Sequence, residues 1–229
     1  MRCIAHATEL ARRAGRRIRS LVRDQGGVTI IEFALSLPIL TTMGFYGIEV
    51  AYMASVSTQV SQLALSVADN ASRLGQTDNS AVAPTIAEAD VDAVLWGALQ
   101  QGSGFDFENN GRIILSSLER DSASGKQYIH WQRCTGKLVK VSSYGTDQPG
   151  TNGLTGPVLT GGLGKTGHKV AAAADQAVMF VEVFYTYKPL LSGMFVKNGE
   201  VKFRQEAAFL VRDDRSLSTG LSGTKKSPC

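Results

Sequence analysis

Histidine and cysteine are scarce in this 229-residue chain, with three of each. His6, His130 and His168 show no metal-ligand spacing, and Cys3, Cys134 and Cys229 form no CxxC pair. No zinc site is expected, and no cofactor. A nucleophile elbow is also missing, because the G-x-S-x-G pattern around Ser222 fails at Thr224. The run Gly161-Gly162-Leu163-Gly164-Lys165-Thr166-Gly167 invites a phosphate-loop reading, but the pattern needs glycine where Leu159 stands. It reads instead as a flexible loop. The pairs Asp90/Asp92 and Asp213/Asp214 read as solvated surface carboxylates, and the sequon at Asn70 lies inside a helical pattern. The Arg-Arg pairs at Arg12 and Arg16 lack the serine and the nearby apolar residues of a twin-arginine signal. The chain is therefore read as no enzyme.

A basic face for nucleic acid is absent too. The formal net charge is +4, but residues 1–27 hold seven Arg against Glu9 and Asp24, leaving the remainder at −1. The basic end directly precedes the most apolar run of the chain, Val28 to about Val56, where only Glu32 and Glu49 are charged. As a helix that run is about 40 Å long, enough to cross a hydrocarbon core of roughly 30 Å with some tilt. No arginine follows until Arg73, so the positive-inside rule leaves residues 1–27 in the cytoplasm and sends the body outside. A buried core helix is the competing reading, disfavoured by apolar residues all round the helix. Pro38 predicts a kink.

Beyond the span, Val60, Leu63, Ala64, Val67, Ala71 and Leu74 fall at steps of three and four, the stripe of an amphipathic helix ending at Gly75. A polar linker, residues 76–83, precedes Pro84. Thr85-Ile86-Ala87-Glu88 has capping-box spacing, predicting a second helix to about Gln101 with Ile86, Val91, Val94, Leu95 and Leu99 inward. Strands are expected at Arg112–Leu118, Gln127–Arg133, Lys137–Ser143, Ala177–Tyr187 and Val201–Val211, with a hairpin turn at Asn198-Gly199. Tyr144 to His168 holds eight glycines and two prolines and reads as a long exposed loop. The expected class is α+β: a long N-terminal transmembrane and amphipathic helix leading into a small antiparallel-sheet domain. The boundaries are 1–27 leader, 28–75 helix, 76–215 outer domain and 216–229 tail, the last mobile unless Cys229 is tied down. With Cys3 in the leader, Cys134 and Cys229 would remain as a pair. They are a possible disulfide in an oxidising compartment, or two separate thiols.

The most informative residues are Gly26-Gly27-Val28-Thr29-Ile30-Ile31-Glu32-Phe33. A glycine between basic leader and apolar helix, with Glu and an aromatic five and six residues on, resembles the type III signal of type IV pilin-like proteins. That resemblance implies cleavage between Gly27 and Val28 by a prepilin peptidase. The chemistry suits a glycine, since lack of Cβ lets a protease approach the backbone closely. A carboxylate at Glu32 costs about 2.5–3.5 kcal/mol near a bilayer centre and less at an interface, so it needs a partner or access to water. Val28 lies one turn away on the same face. In pilin-like proteins this glutamate is held to pair with the N-terminal amine of a neighbouring subunit.

Glu32, Phe33, Ala34, Leu35, Leu37 and Pro38, then Gly47 and Glu49, are similar to the TadE-like proteins of the Tad (tight adherence) pilus system. The resemblance covers about residues 20–75, and MFVEVFYTYKPL (Met179 to Leu190) looks like the family's late strand. It implies a pseudopilin or minor pilin of the bacterial inner membrane. Its partners would be the prepilin peptidase, other pilin subunits, the Tad machinery and membrane lipid, with no nucleic acid. Two other classes stay open: an uncleaved single-pass protein whose outer domain binds a partner or ligand, and a secreted enzyme. The second lacks a small-x-small cleavage pattern around Ala51–Ala54.

Overall fold

The computed structural model describes residue 20 and residues 26–75, 84–121, 123–147, 159–174, 176–191, 200–211, 216–217, 220–225 and 227–229. The expected linker at 76–83, the Asn198-Gly199 turn and nearly all of the leader lie outside these residues. The chain divides into two compact units, Met1–Val50 and Ala51–Cys229.

Helix α1 runs Gly26–Ser72 and continues through Pro38. Proline withholds one N–H from the helical ladder. The hydroxyls that follow turn back onto nearby carbonyls: Thr41 donates to Leu37 O at 2.9 Å and Thr42 to Pro38 O at 2.6 Å. In the first unit residues 27–48 of the helix are exposed all round. In the second unit the helix changes character. Val56, Val60, Leu63, Ala64, Val67, Ala68 and Ala71 are all buried, the three-and-four stripe that the sequence displays. Gly75 leaves the helix at φ +81°, a left-handed conformation that suits glycine.

Helix α2 spans Glu88–Gln101. It starts two residues later than the Thr85 spacing predicts, with the cap at Ala87 instead of Thr85. Ala87 occupies the cap in extended geometry, and its N–H donates to Asp90 Oδ2 at 3.2 Å. Thr85 is not the cap because Glu88 is drawn to another partner, Arg133. Val91, Leu95 and Ala98 face inward. A 3₁₀ turn at Ser103–Phe105 and a one-turn helix α3 at Phe107–Asn110 then lead to the sheet. Neither was expected from periodicity. They are held by Phe105 and Phe107 against Tyr185, whose hydroxyl donates to Phe105 O at 2.6 Å.

Four antiparallel strands follow: β1 Gly111–Arg120, β2 Gln127–Thr135, β3 Ala177–Tyr187 and β4 Val201–Leu210, ordered β2-β1-β3-β4. Residues 137–143 form no strand, contrary to expectation. Val139 and Val141 are 91% and 79% exposed. Strand-like alternation alone did not suffice there, because both edges of the sheet are set by other segments. A bulge leaves His130 opposite no residue between the Ser117–Trp131 and Leu118–Ile129 pairs.

Both faces of the sheet are covered. The α1 stripe and α2 pack with Ile113, Leu115, Trp131, Met179, Val181, Val183, Tyr185 and Tyr187. The opposite face gathers Leu118, Ile129, Val178 and Phe180 with Leu163 and Ala172. The glycine-rich segment is thus not simply an exposed loop. Leu163 is fully buried and pairs with Val170 by reciprocal backbone hydrogen bonds of 2.9 and 2.7 Å. Gly162 makes this approach possible: at φ +92°, a Cβ there would sit 1.9 Å from Val170 O.

Truncating a plug in this second core should be costly, whereas trimming the exposed segment should not. Leu163→Ala is expected to destabilise the domain by about 2–5 kcal/mol, and Val139→Ala by less than about 0.5 kcal/mol. Denaturant unfolding of the detergent-solubilised chain measures both.

Candidate functional site

The residues singled out from sequence lie on the exposed part of α1. Gly27 is helical with open space around it, and Val28 and Phe33 are 52% and 63% exposed. Four-residue spacing puts Val28 and Glu32 on one helix face, a turn apart. Glu32 is exposed. Glu49 differs: it is 2% exposed between Ile48 at 52% and Val50 at 39%. The two carboxylates of the apolar run therefore sit in unlike surroundings. Around them Ile30, Ile31, Leu35, Ile39, Leu40, Met43 and Phe45 point outward. Such a surface, apolar in every direction, suits lipid or other apolar helices rather than water. By length and composition α1 is the one helix among the described residues able to cross a membrane.

The second unit buries several charges. Glu88 of α2 meets Arg133 of β2 through two contacts, Arg133 Nε donating to Glu88 Oε2 at 2.7 Å and Nη2 to Oε1. Their side chains are 5% and 7% exposed. Arg133 Nη1 also donates to Gln132 O at 2.7 Å. Glu182, at 1% exposure the only charge within β3, accepts from the Ser142 hydroxyl, from Ser143 N at 3.1 Å and from Arg204 Nη2 at 3.2 Å. Arg204 bridges on to Glu206 and lies over the Tyr144 ring. Tyr144 packs edge-on against Phe180 and donates to Glu206 Oε1 at 2.9 Å. Burial, then that hydrogen bond, pushes its phenol up to about 12, so it remains a donor.

Ser117, Glu119 and His130 form a third cluster. The Ser117 hydroxyl donates to Glu119 Oε1 at 2.9 Å, and His130 Nδ1 lies 2.8 Å from Glu119 Oε2. The carboxylate stands between hydroxyl and imidazole, so the histidine is not placed to take the serine proton. Among the described residues no His, Cys, Asp or Glu group is arranged to hold a metal ion. Sequence reading missed Glu88, Arg133 and Glu182 as structural anchors. A lone glutamate in the apolar run of β3 was the available signal.

Cys134 and Cys229 are joined by a disulfide, Sγ–Sγ 2.07 Å, closing 95 residues of chain. In the chain-entropy view a loop of that length contributes about 4–5 kcal/mol. The tail, expected to move unless Cys229 is held, is docked along its described residues. Ser222 pairs with Ala87, and Cys134 N donates to Ser227 O at 3.0 Å.

The fold and this segment define a class: one long apolar helix, exposed where it is most apolar, followed by an α+β unit on a four-stranded antiparallel sheet. Residues 27–69, a stretch within α1, match the family model for TadE-like protein. No curated protein matches the chain. No solved structure matches it.

The Glu88–Arg133 pair gives a direct test of the buried-charge architecture. Glu88→Ala removes the two-contact partner of a buried guanidinium and leaves it, for a carboxylate, only the longer contact of Nη1 with Asp147 Oδ2 at 3.6 Å, so it should cost about 2–4 kcal/mol, read as a lowered midpoint in chemical denaturation.

Proposed function

We propose that this chain is a TadE-like pseudopilin or minor pilin that acts in Tad pilus assembly after a prepilin peptidase cuts between Gly27 and Val28. The observation that carries the reading is the boundary at Gly27. Seven arginines lie before it, a helix exposed and apolar on every side lies after it, and Glu32 stands one turn past Val28. The cut removes the charge that holds the leader in the cytoplasm and creates a new amine at Val28.

The assembly step follows from the cost of charge in lipid. A new amine and Glu32 are each unfavourable in an apolar medium, and each is relieved by pairing with its opposite. Pairing within one chain is possible across a single turn. Pairing between chains also sets the axial register of one helix against the next. Glu32 and Phe33 are the residues assigned to this contact, with other pilin subunits and the Tad machinery as partners. In this reading the chain sits in the bacterial inner membrane, leader in the cytoplasm and α+β unit outside. The Cys134–Cys229 bond supports that side, because oxidising compartments preserve disulfides.

The mature mass measured with and without the peptidase tests the processing step. The expected result is loss of residues 1–27 only when the peptidase is present, and an uncut chain in both samples would overturn it. Gly27→Ala should abolish the cut. Glu32→Ala should still be cut but should lose piliation, scored by electron microscopy; normal pili in that variant would refute the pairing role.

A further inference from the structure

We propose that the C-terminal segment is a redox-locked strap. Closed by the Cys134–Cys229 disulfide, it seals the outer edge of β2 and caps α2; reduction opens both without unfolding the sheet. β2 is an edge strand, and an edge presents backbone N–H and C=O groups that seek partners. The strap supplies one at Cys134, whose N–H donates to Ser227 O at 3.0 Å. It also serves the start of α2, where the first N–H groups have no partner within the helix. Glu88 N donates to Ser222 O at 2.8 Å, and Ser222 N returns a bond to Ile86 O at 2.9 Å. The Ser227 hydroxyl reaches Asp92 on the same helix.

The strap is thin. Leu217 and Leu221 pack partly against the core, but Gly220, residues 222–225 and residues 228–229 are exposed. A few hydrogen bonds open to water and one solvent-facing ion pair, Lys225 Nζ to Asp147 Oδ2 at 3.5 Å, hold a segment weakly. The disulfide changes this by keeping Ser227, two residues away, permanently beside its acceptor-seeking partner. The rest of the domain does not depend on the strap. β2 retains its ladder to β1, α2 retains the Glu88–Arg133 contact, and β3 is paired on both sides. Opening should therefore be local.

The lock is also reachable. Cys134 is 4% exposed, whereas Cys229 is exposed. A dithiol reductant would attack the Cys229 sulfur as thiolate, forming a mixed disulfide and releasing Cys134 as a thiolate that takes up a proton. Its second thiol then displaces Cys229. The dithiol ends oxidised to a disulfide, and the protein ends with two thiols.

Hydrogen exchange by mass spectrometry on the full chain in detergent tests this, comparing oxidised protein with protein reduced by dithiothreitol. Within the peptides covering 86–92 and 130–136, the Glu88 and Cys134 amides, and in the strap the Ser222 amide, should exchange at least about tenfold faster after reduction, while 177–187 keeps its protection. Cys229→Ser should reproduce that pattern without reductant. Unchanged protection in the reduced protein or in the variant overturns the proposal. So does loss of protection at 177–187 in step with the rest, which would make the bond a global staple.

Discussion

The architecture depends on one constraint: β3 is apolar on both faces. Odd-numbered residues from Ala177 to Tyr187 point into the core beneath the helices, and Val178 and Phe180 point the other way. A strand of this kind cannot leave either side to water, because burying each large side chain is worth about 1.5–3 kcal/mol. An antiparallel sheet commonly solvates one face. Here two covers are required, and the chain supplies them from unlike sources. The helices provide one. The other is irregular chain, residues 137–147 and 159–174, which brings Tyr144, Leu159, Leu163 and Val170 onto the sheet.

Irregular chain makes a poor cover unless its polar groups are satisfied. This explains why charges lie inside. Glu182 sits in the middle of β3, where it accepts from Ser142 and Ser143 and so fixes the covering segment to the sheet. Glu88 and Arg133 do the same for the junction of α2 with β2. A buried ion pair is weak evidence of net stabilisation, since well-packed apolar groups often do as well. What such a pair does offer is direction: apolar contacts tolerate sliding, whereas a guanidinium–carboxylate fork has one register. The charges hold in place those parts of the fold that no regular ladder specifies.

That distinction also explains what could be read in the sequence. The stripe from Val60 to Ala71, the strands at 111–120, 127–135, 177–187 and 201–210, and the turn at Gly75 just past the end of α1 are periodic or local features, and periodicity and turn chemistry report them. The misreadings share one cause. Thr85 has cap spacing, but Glu88 is engaged by Arg133, 45 residues away. Lys137–Ser143 alternates like a strand, but the sheet edge it would join is elsewhere. Leu163 looks like one apolar residue adrift in glycine, yet it fills the second core. In each case a contact distant in sequence overrode a local preference. The Gly27–Phe33 boundary is of the opposite kind, a local change of charge, backbone freedom and hydropathy that the structure describes only as exposed helix.

Helix α1 joins these two kinds of information in a single element. Its first part exposes Ile, Leu, Met and Phe on every side, and its later part buries only one stripe. The TadE-like match, residues 27–69, begins at the glycine boundary and ends within the packed stripe, so it spans both. An apolar anchor alone would need only the first part. Within the second unit, the stripe from Val56 to Ala71 is the support against which α2 and the inward face of the sheet pack.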